Sequence, residues 1–269
     1  MSIESNRGKT LKRRLLVLLA VFAGAGALLV APAAADHSWG DYHWARTANP
    51  FTLHVIDSNS SDWDAALDRA IADWDRSNVM NLVEEAGPPD KKCRPTTGKA
   101  KSCNGSYGRN GWLGLASIRV SGSHITSATA KMNDTYFSMA AYNDPVKRQH
   151  VICQEIGHDF GLGHQDESGA DLNTCMDYAS ALDNPSPNQH DYQQLETIYA
   201  HLDSTTTIAA TLADDDAARP ERVERVDRIA TSTITEHFAD GSRRITHVTW
   251  ALETRGASHE HRFDPGHEH

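Results

Sequence analysis

The chain has 269 residues, of which 23% are charged, with a formal net charge of −10 when histidine is neutral. An acidic balance of this size argues against nucleic acid and anionic membrane surfaces as partners. The 269 residues suffice for one sizeable core with segments to spare at either end.

The first segment reads as a secretory signal. Lys9, Lys12, Arg13 and Arg14 form a basic start, and Leu15 to Val30 is an uncharged apolar run of 16 residues. That run is short of the ~20 residues of a spanning helix. Ala33-Ala34-Ala35 follows it directly as an A-x-A cleavage site. Arg13-Arg14 alone does not complete a twin-arginine pattern, so general export is expected. Cleavage after Ala35 leaves 21 basic and 35 acidic residues, a net charge of −14. The product is expected to be secreted and monomeric, with no stable membrane span.

Phe51 to Ile56 predicts a strand, and Asp57-Ser-Asn-Ser-Ser61 supplies turn and N-cap chemistry. Trp63, Leu67, Ala70, Ile71 and Trp74 then recur at helical spacing between Asp62 and Ser77. Val79 to Val83 predicts a second strand. Residues 86–111 are rich in Gly, Pro, Lys and Asn and predict a loop that a Cys93–Cys103 bridge would staple. Leu113 to Val120 and His124 to Met132 predict two more strands around Ser121-Gly122-Ser123. Asp144-Pro145 opens a helix, with Asp at the N-cap and Pro in the first turn. It should reach about Phe160 and stop at Gly161, a left-handed cap. A further helix is expected from about Asn188 to His201. This order predicts one α/β (α+β) domain over residues 36–203.

Residues 204–269 read as a separate tail, dispensable for the fold. Ser232 to Phe238 and Arg244 to Leu252 alternate around Ala239-Asp240-Gly241-Ser242, a hairpin signal. The end, with His259, His261, His267 and His269, reads as solvated rather than metal-binding.

The chemistry concentrates in Gln154-Glu-Ile-Gly-His-Asp-Phe-Gly-Leu-Gly-His164. Positions 154 and 158 are four apart and share a helix face. Gly161 permits a sharp turn that brings His164 back to the same point. Glu155 sits beside that point, free to act on a bound water. A catalytic zinc needs three protein ligands and an open position, and a carboxylate takes the proton from its water.

With the downstream Cys175-Met176-Asp177-Tyr178, these residues resemble the metzincin zinc proteases, most closely the matrixin-like branch. The resemblance spans Phe51 to about His201. It implies a twisted, mostly parallel sheet with an antiparallel edge strand, an active-site helix and a C-terminal helix. It implies Zn2+ as cofactor, Met176 as the hydrophobic floor beneath it, Glu155 as general base and Tyr178 as a group near the metal or the developing oxyanion. The implied ligands are Gln154, His158 and His164.

Gln154 departs from the family's histidine, since an amide oxygen is a neutral, weaker zinc ligand than imidazole. His150 cannot replace it: eight residues of helix separate it from His158, roughly 12 Å along the axis. Four cysteines allow three pairings. A Cys153–Cys175 bridge would tie the zinc helix to the Met-turn, leaving Cys93 for Cys103 rather than for a propeptide-like inhibitory role.

Two functions are expected to compete. One is a secreted zinc endopeptidase taking a protein or peptide substrate extended along residues 125–132. The other is a metzincin-fold module that binds a peptide or partner without hydrolysing it.

Overall fold

A computed structural model describes residues 36–166, 168–177, 181–210, 218–228 and 231–251. The expected signal segment, Tyr178 and the histidines beyond residue 252 lie outside the described residues. No helix among the described residues is long and apolar enough to cross a membrane.

The elements in chain order are β1 (His43–Trp44), β2 (Phe51–Ser58), α1 (Asp64–Trp74), β3 (Met80–Ala86), β4 (Ala100–Gly105), β5 (Trp112–Ser121) and β6 (His124–Asn133). Then follow α2 (Asp134–Phe137), α3 (Pro145–His158), α4 (Gln189–Ile198), β7 (Arg222–Asp227), β8 (Thr231–His237) and β9 (Arg243–Trp250). The strands form one sheet in the order β3-β2-β4-β6-β5-β9-β8-β7, with β1 beside β6. This is a mixed α/β fold.

The helix signals act as their chemistry requires. The Asp144 carboxylate accepts from Val146 N at 2.7 Å, and Pro145 opens α3. Asn188 and Asp191 form a reciprocal capping box at the start of α4. The apolar stripe of α1, Leu67, Ala70, Ile71 and Trp74, is buried and packs against α3. Trp74 donates from its ring nitrogen to the Cys153 carbonyl at 3.0 Å, locking the two helices together. On its other side α3 lies against β5 and β6.

Both disulfides form: Cys93–Cys103 within the 86–111 segment, and Cys153–Cys175 between α3 and the loop carrying Met176. Closing the second, with a separation of 22 residues, is worth about 3 kcal/mol in the chain-entropy picture. Such bridges belong to oxidising compartments.

Four expectations are corrected. The 86–111 segment contains a strand, β4, paired in parallel with both β2 and β6. Its sequence, Ala-Lys-Ser-Cys-Asn-Gly, carries no β-branched residue, so pairing on both sides rather than propensity makes it a strand. The sheet is not mostly parallel with one antiparallel edge. Four pairings are parallel and four antiparallel. β6 is not an edge available to a peptide, because β4 and β5 flank it.

Finally, the C-terminal segment is not an appendage. β9 pairs antiparallel with β5 from Trp112↔Trp250 to Val120↔Arg243, and β8 and β7 extend the sheet further. The predicted hairpin exists, with Gly241 at φ +80° in its turn, but it continues the main sheet. Ile245 and Ala251 join the main core, while Val248 and Ile234 pack on Trp112 and Leu115.

A chain ending at Asp203 would therefore strip the cover from Trp112 and Leu115 and leave one edge of β5 unpaired. Each fully buried aliphatic lost is worth roughly 1.5–3 kcal/mol. Thermal unfolding should show a melting temperature lower by about 10 °C or more, at roughly 2–4 °C per kcal/mol for a domain of this size. A shift of only a degree or two would restore the view of a dispensable tail.

Candidate metal centre

The helix α3 presents Gln154, Glu155 and His158 toward the sheet, and all three are buried. Three glycines make room for this. A methyl group on Gly114 of β5 would overlap the Glu155 carboxyl, lying 2.8 Å from both Cδ and Cγ. One on Gly157 would meet the Met176 sulfur at 2.5 Å and Trp74 at 2.7 Å. Gly161 has φ +89°, and a methyl there would overlap the Tyr42 carbonyl oxygen. The chain thus turns hard after α3, and His164 returns to His158, with ring centroids 4.8 Å apart. Met176 packs against Gly157 of α3 and is fully buried.

The third imidazole at this point is not on α3. It is His247 of β9. Its ring centroid lies 4.2 Å from that of His158 and 4.6 Å from that of His164. One nitrogen from each of the three rings lies within 4.8 Å of the others.

Their protonation suits a cation. His158 Nδ1 faces the Leu162 carbonyl oxygen at 2.7 Å. A carbonyl only accepts, so Nδ1 carries the hydrogen and Nε2 the lone pair. His158 Nε2 and both ring nitrogens of His247 have no hydrogen-bond partner among the described residues. Burial pushes the His158 imidazole down to about 4. Burial, reinforced by the neighbouring imidazoles, also holds His164 and His247 well below the ordinary range. The three rings are neutral at physiological pH, the form that binds metal. Trp39 lies edge-on to His158 and His247, with centroids 5.4 and 6.1 Å away.

Gln154 does something else. Its Nε2 donates to the carbonyls of Cys175 and Asp177, at 2.8 and 3.1 Å, on either side of Met176. Its Oε1 lies 3.0 Å from the Thr249 hydroxyl. Gln154 therefore braces the methionine loop against β9 rather than offering its oxygen to the histidine cluster. Thr249 Oγ1 also lies 2.6 Å from Glu155 Oε1. One hydroxyl proton cannot fully serve both acceptors, and the shorter distance favours Glu155. Glu155 Oε2 has no partner among the described residues. Burial lifts its carboxyl to about 8, against a smaller opposing effect of the Thr249 hydroxyl.

Of the sequence-predicted site residues, His158 and His164 come together, Glu155 is buried against Gly114 and Thr249, Gln154 is diverted, and Tyr178 lies outside the described residues. His150 is buried one turn earlier on α3 and outside the three-histidine group. His247 is the residue that sequence reading missed. Its signal was present: in Ile245-Thr-His-Val-Thr249 a period of two puts Ile245, His247 and Thr249 on one face. No protein-family model matches the chain, and no curated protein matches it.

If His247 holds a cation here, His247→Ala should weaken zinc binding by at least about 10–100-fold, the effect of disturbing even indirect contacts in metal sites. Gln154→Ala should leave zinc affinity within a few-fold. It should instead cost about 1–3 kcal/mol of stability, because two buried carbonyls lose their donor. Metal titration and chemical denaturation of both variants check this. The reverse pattern would return Gln154 to the ligand set.

Proposed function

We propose that the protein is an exported, zinc-dependent peptide hydrolase of the metzincin type, held latent by its own C-terminal strand. The observation that carries this reading is the convergence of three imidazoles, His158, His164 and His247, with the buried Glu155 one turn before His158 on α3. The orphaned nitrogens of His158 and His247 fit a borderline cation, for which imidazole is a preferred ligand. When bound, zinc would acidify a water and polarise a carbonyl.

The chain's own residues supply the rest. Glu155 is the one carboxyl that α3 places beside these rings, and it would accept the water's proton. A nearby cation favours its ionised form and opposes the effect of burial. Thr249 holds one carboxyl oxygen, leaving Oε2 for proton transfer. Trp39 and β9 shield the rings from bulk water.

β5 is the strand that touches Glu155, through Gly114. An extended peptide reaching the site would pair with the outer edge of β5, as in strand addition. β9 already occupies that edge. It also presents His247 to the cluster and Thr249 to Glu155. The C-terminal strand thus stands where a substrate strand would stand. Its departure would remove His247 and at the same time free Gln154 Oε1 from Thr249, making that oxygen available to take the vacated place.

The same strand also favours a second reading, a non-catalytic module in which the groove is permanently filled. Cleavage of quenched peptides by the zinc-loaded chain separates the two. The intact chain should be slow. A form nicked at a protease site introduced within residues 211–217 should be faster, chelator-sensitive, and silenced by Glu155→Ala without loss of metal. Equal rates before and after nicking would remove the latch. Peptide binding with no cleavage by either form at saturating zinc would favour the module.

A further inference from the structure

A second histidine cluster lies on other elements from the first. His43 of β1 and His124 of β6 are register partners across a parallel pair. His201 and Asp203 follow α4. All three rings aim Nε2 at one oxygen: Asp203 Oδ1 lies 3.4 Å from His43, 3.3 Å from His124 and 3.6 Å from His201. His43 Nε2 and His201 Nε2 are 3.2 Å apart.

We propose that His43, His124, His201 and Asp203 form a closed structural zinc site, distinct from the centre beside Glu155. The first argument is distance. Four N/O donors at tetrahedral zinc bonds of about 2.0–2.1 Å lie about 3.3–3.4 Å from one another. Four of the six separations measure 3.2–3.6 Å, close to that edge, and one donor atom each of His43, His124 and Asp203 lies within 4.8 Å of the others.

The second argument is protonation. His43 Nδ1 lies 2.8 Å from the Asp41 carbonyl oxygen, which only accepts. Nδ1 therefore holds the hydrogen, and in the neutral ring the Nε2 lone pair points at the carboxylate and at His201. That lone pair is available to a cation held among the four groups.

The third argument is the mounting of the carboxylate. Asp203 Oδ2 accepts from Arg46 Nη1 at 2.9 Å and from Arg46 N at 3.1 Å. Arg46 also donates to the His201 carbonyl and is itself buried. The guanidinium engages Oδ2 alone and leaves Oδ1 facing the three rings, the outer support that metal-bound carboxylates usually have. With four protein donors the site has no open position, which marks it as structural. It would fasten β1 and the start of β6 to the segment after α4.

The test uses the full chain carrying His164→Ala and His247→Ala, which disables the other candidate cluster among the described residues. Zinc titration followed by metal analysis should give one equivalent per chain, with a rise in melting temperature. Adding His124→Ala and His201→Ala should abolish both. These two rings are partly or largely exposed, 36% and 52%, so their loss should leave the fold intact. Cobalt supplies an independent readout, since a tetrahedral site should give visible absorption that the four-residue variant lacks. No bound equivalent in the first variant, or an equivalent that survives removal of His124 and His201, overturns the proposal. A cluster that only takes up a proton would appear as the first of these.

Discussion

The pairing of β9 on β5 governs the rest of the site. A sheet edge exposes unpaired backbone groups, and something must satisfy them. Here the chain itself does so, over the length of β5. Pairing in one register and not its neighbour decides which β9 side chains face α3. A one-residue slip would turn His247 and Thr249 outward and bring Thr246 and Val248 inward. Val248 is held on the outer side by Trp112, Leu115 and Ile234, so hydrophobic burial on one face of β9 fixes the polar chemistry on the other.

The three glycines work with that register. Each removes a side chain where two elements must approach: β5 to the Glu155 carboxyl, α3 to Met176, and the turn after α3 to Tyr42. Only Gly161 also needs its backbone freedom. The Cys153–Cys175 bridge and the two Gln154 donors then tie α3 to the methionine loop from neighbouring positions. Gln154 therefore has a structural role that a histidine, with no more than two ring donors in a different geometry, could not fill in the same way. That explains an amide at this position without making it a metal ligand.

Much of this was legible in the sequence because it is local. Helix α3 announces itself through Asp144-Pro145, and α4 through Asn188 and Asp191. The two disulfides join cysteines close in sequence. The turn after α3 is written in Gly161. What escaped was set by distant pairing. β4 has no strand propensity of its own, and β1 has only two residues. β9 was readable as a strand, but nothing within it says which strand it joins. His247 lies 83 positions beyond His164, and only the β5–β9 pairing brings them together. The search for a substitute ligand along α3 itself, which ended with His150, looked in the one direction where helix geometry forbids an answer.

The two histidine clusters differ in the physics that shapes them. In the inner one, burial, reinforced by the neighbouring imidazoles, makes the rings neutral, and among the described residues no carboxylate belongs to the group; burial raises Glu155 of the same helix to about 8. Binding there must pull a proton from a buried carboxyl or leave the cation's charge uncompensated. In the outer one, burial would raise the Asp203 carboxyl, but the Arg46 backbone hydrogen bond and the Arg46 charge help to hold it below its usual value. A cation there meets a charge prepared for it. A site meant to hold metal permanently benefits from that compensation. A site meant to act on a water benefits from its absence, because an uncompensated cation acidifies its water more strongly. If both clusters hold zinc as proposed, charge compensation separates them by role, the inner suited to chemistry and the outer to holding the fold together.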